Sequence, residues 1–220
     1  KKPMIVLDVD GTLPYIFSLR EGTEGTTIQG IHFKNFTGYA IGNLADKLSI
    51  VDNIFTSKYG AVGYGTYSVY LHGHGHKSKF YGNTFGSLLP EENPPLGSGF
   101  YHGAFYIYIG ENFTKEITEI SIGGDLVGQG NTFQNMNRGV SLIKHIKEPA
   151  NKIREVYIRG NRFENMLSKL YFSSSTNFNI PAPEITQTGE GLISGLANDK
   201  GSIVEVYTSN AKGDVLQPLG

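Results

Sequence analysis

Apolar residues along this chain recur in short runs, each closed by glycine or asparagine. Within the runs apolar and polar positions alternate, as in half-buried strands. No stretch holds an apolar face at i, i+3, i+4 and i+7 for long, because glycine interrupts nearly every candidate. The pattern predicts many short strands joined by sharp turns and almost no helix. One six-residue unit repeats: Ile50-Val-Asp52-Asn53-Ile-Phe55, Phe80-Tyr-Gly82-Asn83-Thr-Phe85, Gly128-Gln-Gly130-Asn131-Thr-Phe133 and Ile158-Arg-Gly160-Asn161-Arg-Phe163. An earlier copy, Ile28-Gln-Gly30-Ile31-His32-Phe33, lacks the asparagine. Three copies add an asparagine two residues after the phenylalanine, at Asn35, Asn135 and Asn165. The units start 22, 30, 48 and 30 residues apart, so a constant structural turn carries loops of different length.

Further apolar stretches follow several copies: Gly38–Ile41, Gly60–Val62 and Gly139–Leu142, with Ser68–Leu71 as a third stretch in one turn. Each turn therefore holds two or three strands, with Gly and Asn at the corners, where left-handed backbone angles are needed. One such coil cannot bury its Ile, Val and Phe side chains. Coils stacked about 4.8 Å apart share a continuous core. The expected fold is an all-β, right-handed parallel β-helix over residues 1–172. Phe55, Phe85, Phe133 and Phe163 should stack inside it, and Asn53, Asn83, Asn131 and Asn161 should form a ladder of amides.

This repeat resembles the parallel β-helix repeats of bacterial secreted and cell-surface proteins and of polysaccharide-active enzymes, the pectate-lyase-like superfamily. The resemblance covers roughly residues 3–172. It is specific for fold, and it implies an extracellular or cell-surface location. Residues 173–180 read as a linker. Beyond them, Ile180–Thr186, Gly191–Gly195 and Ser202–Tyr207 form three short alternating stretches over residues 181–220. Their Pro-Ala-Pro-x-Ile-Thr start and Val-Glu-Val-Tyr stretch resemble the opening half of the Ig-like modules of bacterial surface proteins. Since a complete β-sandwich takes about 100 residues, this segment is expected to be a partial module or a cap on the helix. Ile5-Val-Leu7 starts an apolar strand with no room for a cap before it, and Val215–Gly220 stops early. Flanking regions of the same parent chain, or a covering partner protein, are therefore expected to shield both ends.

The stretch Ile5–Leu13, IVLDVDGTL, is similar to the nucleophile motif of the haloacid dehalogenase-like phosphotransferases, in which two Asp residues handle phosphorus, proton and Mg²⁺. That family needs a helix soon after the motif, and here Pro14, Gly22, Gly25 and Gly30 intervene. It also needs a distal acidic pair, and the chain has no adjacent Asp pair. The same residues fit a β-helix coil, with strands at Pro3–Asp8, Phe17–Leu19 and Thr27–Ile31. Asp8 and Asp10 are expected to carry no phosphotransfer.

Composition narrows the chemistry. With 19 basic and 20 acidic residues well mixed, the chain lacks the basic stripe of a nucleic-acid binder. It has no cysteine, which removes disulfides and thiolate metal sites, and no apolar run approaches the roughly 18 residues of a membrane span. No cofactor is implied. Tyr70-Leu-His72-Gly-His74-Gly-His76 places three imidazoles on one side if the strand stays extended. Same-face neighbours lie about 7 Å apart, so His72, His74 and His76 are expected to hold a metal weakly. Gly73-His74-Gly75 matches one short motif of the polygalacturonases, but their other motifs, which bring the catalytic carboxylates, do not occur. In Phe100–Ile109, strict alternation points Tyr101, Phe105, Ile107 and Ile109 inward and His102, Tyr106 and Tyr108 outward. With Tyr70 they form the candidate ligand-binding surface, suited to sugar rings, unless the loop Ser87–Gly99 folds over it. Asn35-Phe-Thr37 and Asn112-Phe-Thr114 are glycosylation sequons by pattern.

The expected function is a segment of a large secreted or cell-surface protein, an elongated scaffold or adhesin-like surface that binds carbohydrate. The competing reading is a β-helical polysaccharide lyase or glycoside hydrolase whose catalytic carboxylates lie outside this chain.

Overall fold

The computed structural model describes residues 5–59, 61–62, 65–87, 89, 100–111, 113–145, 147, 152–173, 176, 184–189, 192–196, 207–209 and 214–218. Among these there are strands and no helix. The first coil contains β1 (Ile5–Asp8), β2 (Tyr15–Leu19) and β3 (Thr27–Gln29). The second contains β4 (Ile31–Lys34), β5 (Tyr39–Asn43) and β6 (Ser49–Val51). In the third, β7 (Ile54–Thr56) is followed by an excursion, β8 (Ala61–Val62), and then by β9 (Thr66–His72) and β10 (Lys79–Tyr81). The fourth has β11 (Thr84–Phe85), β12 (Phe100–Ile109) and β13 (Ile120–Gly123). In the fifth, β14 (Thr132–Lys144) runs over two sides without a break before β15 (Val156–Arg159), and β16 (Arg162–Phe172) does the same in the sixth.

Apart from β8, these strands pair coil to coil in parallel, into a parallel β-helix. The first side is β1-β4-β7-β11 and the start of β14. The second is β2-β5-β9-β12 and the end of β14, and β16 closes both. The third side is the separate sheet β3-β6-β10-β13-β15. Gly60–Val62, read from the sequence as a coil strand, is a correction: β8 pairs antiparallel with the start of β12, and β9 fills the second side. The reason is register, since Val69 aligns with Ile41 inside. After the coils come β17 (Glu184–Gly189) and β18 (Leu192–Leu196), which form an antiparallel hairpin. Then β19 (Tyr207–Ser209) pairs with β20 (Val215–Pro218), which returns to β16 with Val215 opposite Phe163. Residues 174–175, 177–183, 190–191 and 197–206, on which much of the linker and Ig-like reading falls, lie outside the described residues.

The repeating unit does what its spacing predicts. Phe33, Phe55, Phe85, Phe133 and Phe163 form one stack, with centroids 4.7–5.0 Å apart and planes within 13° of parallel. All except Phe163 are fully buried, and Phe163 is 7% exposed. Beside them, Asn53, Asn83, Asn131 and Asn161 are each 1% exposed. The Oδ1 of each of the last three accepts the backbone N–H and side-chain amide of the Asn one coil earlier. Each Nδ2 also donates to a carbonyl at the preceding sheet, from Ile28, Ile50, Phe80 and Ile122 in turn. Every buried amide is thereby satisfied. Ile31 keeps the register without the side chain, because its backbone N–H donates to Asn53 Oδ1. The asparagines after the phenylalanines, Asn35, Asn135 and Asn165, take left-handed φ of 58°, 50° and 47° at the next corner, a conformation that Asn tolerates.

Candidate aromatic binding ridge

Alternation along the second side breaks in the second to fifth coils. Ala40 and Ile41, Ser68 and Val69, Ala104 and Phe105, Gly139 and Val140 are consecutive pairs buried together. A small residue followed by a large apolar one lets the strand bend with both side chains inside. Residues on either side of that bend face outward together, which strict alternation forbids. Tyr39, just before it, therefore shares a surface with Tyr70 and Tyr106, just after it, while Tyr67 at the same register position is only 3% exposed, with its ring 4.9 Å from that of Tyr106.

The result is an aromatic ridge along the helix axis. Tyr15 lies 5.6 Å from Tyr39, and Tyr39 stacks on Tyr70 at 4.3 Å and 13°. Tyr70 and Tyr106 lie 5.6 Å apart, and Tyr106 and Tyr108 5.9 Å. His72 bridges Tyr70, Tyr108 and Phe113. Across β14 and β16 the line continues with the Arg138 guanidinium 4.5 Å over the Tyr171 ring. Tyr70, Tyr106 and Tyr108 thus lie together on one surface. Tyr15, Tyr39, Phe113 and Tyr171 were missed. A tyrosine two residues before the inward Phe17, Ile41 and Val69 is the signal that finds Tyr15, Tyr39 and Tyr67.

His102 is a correction. It is fully buried, beside Phe36 at 6.1 Å, because Ala104 and Phe105 are both inside and reverse the parity of the preceding residues. Its backbone N–H donates to Asn137 Oδ1, while neither ring nitrogen has a hydrogen-bond partner among the described residues. Burial holds its pKa down to about 4, so the imidazole is neutral.

The three histidines are a second correction. The strand ends at His72, and Gly73 and Gly75 take left-handed φ of 67° and 103°, turning His74 and His76 off the extended line. Phe113 rests on Gly73, where a Cβ would meet its ring at 1.9 Å, and edges onto His74. His76 instead meets the Thr118 hydroxyl at 2.7 Å and lies 3.8 Å from Glu119. Among the described residues no three His, Cys, Asp or Glu side chains gather to hold a metal.

Electrostatics keep the ridge neutral from Tyr39 to Tyr106, ahead of the Arg138 guanidinium. Burial first, then neighbouring tyrosines, pushes the Tyr39 phenol up to about 12 and raises those of Tyr70 and Tyr106. Burial, with His74 beside it, lowers His72. These groups offer hydroxyl donors and apolar ring edges without charge.

Away from the ridge, Asp8 accepts two hydrogen bonds from the Asn35 amide and one from the Asp10 N–H. Burial raises its pKa, but these bonds and Lys34 and Lys58 outweigh it, so the net shift is downward. The carboxylate is a corner anchor. Asn35, only 6% exposed, spends its amide on that anchor, so its sequon is structurally occupied. Residues 90–99, most of the loop read as a cover, and Asn112 of the other sequon lie outside the described residues. Comparison with known proteins finds no matching family, no matching curated protein and no matching solved structure.

Proposed function

We propose that this protein is an elongated scaffold that binds neutral carbohydrate along its tyrosine ridge, as part of a secreted or cell-surface protein. The observation that carries the reading is the outward line of Tyr39, Tyr70, Tyr106 and Tyr108, half-buried and uncharged. Half-buried tyrosines combine a rigid apolar body with a polar tip, the property that suits ring-bearing polar ligands. Tyr39, Tyr70 and Tyr106 come from successive coils, each advancing about 4.8 Å. Because Tyr39 and Tyr70 cover each other's faces, the middle of the ridge meets a ligand with ring edges and hydroxyls. Ring exposure is greater at Tyr15, at 46%. Support for a covering chain or partner comes from the sixth coil, where Leu167, Leu170, Tyr171 and Phe172 are 43–60% exposed.

A glycan array probed with the protein and with a Tyr70→Ala, Tyr106→Ala variant tests this. The expected outcome is binding to neutral hexose polymers that falls roughly threefold to tenfold in the variant, the scale of one or two aromatic contacts. Absence of binding to every neutral glycan, or equal binding by the variant, overturns the reading.

A further inference from the structure

The third side of the helix carries an open depression of about 570 Å³ whose chemistry is opposite to that of the ridge. Its floor is one outward row in register across coils, Ser49, Lys79, Ser121 and Tyr157. Lys79 rises between two short hydroxyl side chains. Lys47 and Lys77 flank it from the preceding corner, one coil apart, or about 4.8 Å. Glu119 also lines the depression and pairs with Lys77 at 3.6 Å. Neither Lys47 nor Lys79 makes an ion pair with a described residue, so two ammonium groups in a concave site remain uncompensated.

The corner beside the depression takes a left-handed φ in five successive coils, at Gly25, Lys47, Lys77, Glu119 and Glu155, with angles of 79°, 57°, 58°, 56° and 55°. That shared corner presents the Lys47 and Lys77 side chains at one register position on adjacent coils.

We propose that this depression binds a phosphate monoester. Lys77 already has a carboxylate, so the charge left to balance is that of two lysines. A phosphate monoester carries about −1.5 to −2 at neutral pH and three acceptor oxygens. Those oxygens suit the donors that line the depression, Lys47, Lys79 and the hydroxyls of Ser49 and Ser121. A sulfate ester has similar shape and only one negative charge, so it is the weaker ligand. The site is independent of the tyrosine ridge, which lies on another side of the helix.

Calorimetric titration of the protein with glucose 6-phosphate, glucose 6-sulfate and glucose tests the assignment. Expected is saturable binding of the phosphate ester that weakens with added salt and falls about tenfold in Lys79→Gln and in Lys47→Gln, the scale of one charge-assisted hydrogen bond. Glucose 6-sulfate should bind more weakly, glucose should not bind, and Tyr70→Ala should leave phosphate-ester binding unchanged. No binding of glucose 6-phosphate, binding indifferent to both lysine substitutions, or equal binding of sulfate and phosphate esters overturns the proposal.

Discussion

Two aromatic stacks run along this molecule with the same coil repeat, one inside and one outside, and they differ in order. The inner phenylalanines keep centroid spacings of 4.7–5.0 Å and planes within 13°. In the outer ridge, spacings range from 4.3 to 5.9 Å and tilts from 13° to 33° along Tyr15, Tyr39, Tyr70, Tyr106 and Tyr108. Two of the outer pairs, Tyr15–Tyr39 and Tyr70–Tyr106, are in register across one coil as the inner pairs are, yet they tilt by 31° and 33°, so coil spacing does not set ring order. The inner rings are enclosed on every side by core atoms, and close packing leaves them one orientation. The outer rings have solvent on one side and settle against whichever neighbour is nearest. Order inside serves stability, and looseness outside leaves ring edges and hydroxyls at the surface.

The largest effect expected from this contrast is Phe133→Ala. Its ring touches Phe85 and Phe163 in the stack, with Phe105 6.2 Å away, and neighbours held in a ladder collapse little into a cavity. A loss of about 3–5 kcal/mol in urea unfolding is expected. A loss no greater than that of an outer tyrosine would erase the distinction between the stacks.

How much of this was legible in the residues follows the same division. The inner stack and the Asn ladder were readable because identical side chains recur at identical spacing within one unit. The ridge was half readable. Tyr70, Tyr106 and Tyr108 follow from alternation, which holds after the bend, whereas His102 lies before it and alternation places it on the wrong side. The pairs Ala40-Ile41, Ser68-Val69 and Ala104-Phe105 mark that bend, but a small residue before a large one is common and gains meaning only after the coils are aligned. The histidine row failed for a local reason, since Gly73 and Gly75 supply the turn that ends the strand. The lysine depression left no run in the sequence, because Lys47 and Lys79 are neighbours only across coils.

A second effect separates the two sides of a single strand. β12 carries His102 inward and Tyr106 outward, and of the two only the buried imidazole is a base, one whose burial opposes protonation. The His102 pKa is about 4 in the fold and about 6.5 in an unfolded chain. The unfolded state therefore takes up the proton first as pH falls. Stability is full above about pH 6.5, drops by about 3 kcal/mol as pH falls to about 4, and gains no further loss from this group below that. His102→Leu should flatten unfolding free energy measured across that window relative to the wild type. The loss tied to Asp8, whose pKa is lowered, belongs to more acid pH and should survive the substitution.

Asn131→Ala should follow in size. It leaves the backbone N–H of Asn83 and the carbonyl of Phe80 without their partners in a dry interior, which costs about 2 kcal/mol. Hydrogen exchange locates the damage: the Asn83 amide should lose protection while amides of the first coil keep theirs. Uniform loss along the helix would mean that the ladder acts as one unit rather than as successive links.

The smallest effect is expected on the ridge. Tyr70 lies between Tyr39 and Tyr106 and is half-buried, so removing its ring takes away one stacked face and partial burial. Tyr70→Ala should cost only about 1 kcal/mol in urea unfolding. Its sharper consequence is electrostatic. The Tyr39 phenol is held near 12 chiefly by burial, and Tyr70 supplies one wall of that burial at 4.3 Å. With the wall gone, the Tyr39 phenolate gains solvent and its pKa falls toward the ordinary value near 10. Ultraviolet absorbance during alkaline titration, compared between Tyr70→Ala and a Tyr70→Ala, Tyr39→Phe variant, isolates that phenol. A Tyr39 transition still near 12 in Tyr70→Ala would mean that the strand beneath, and not the neighbouring ring, shields it, and the ridge would then be a row of independent tyrosines.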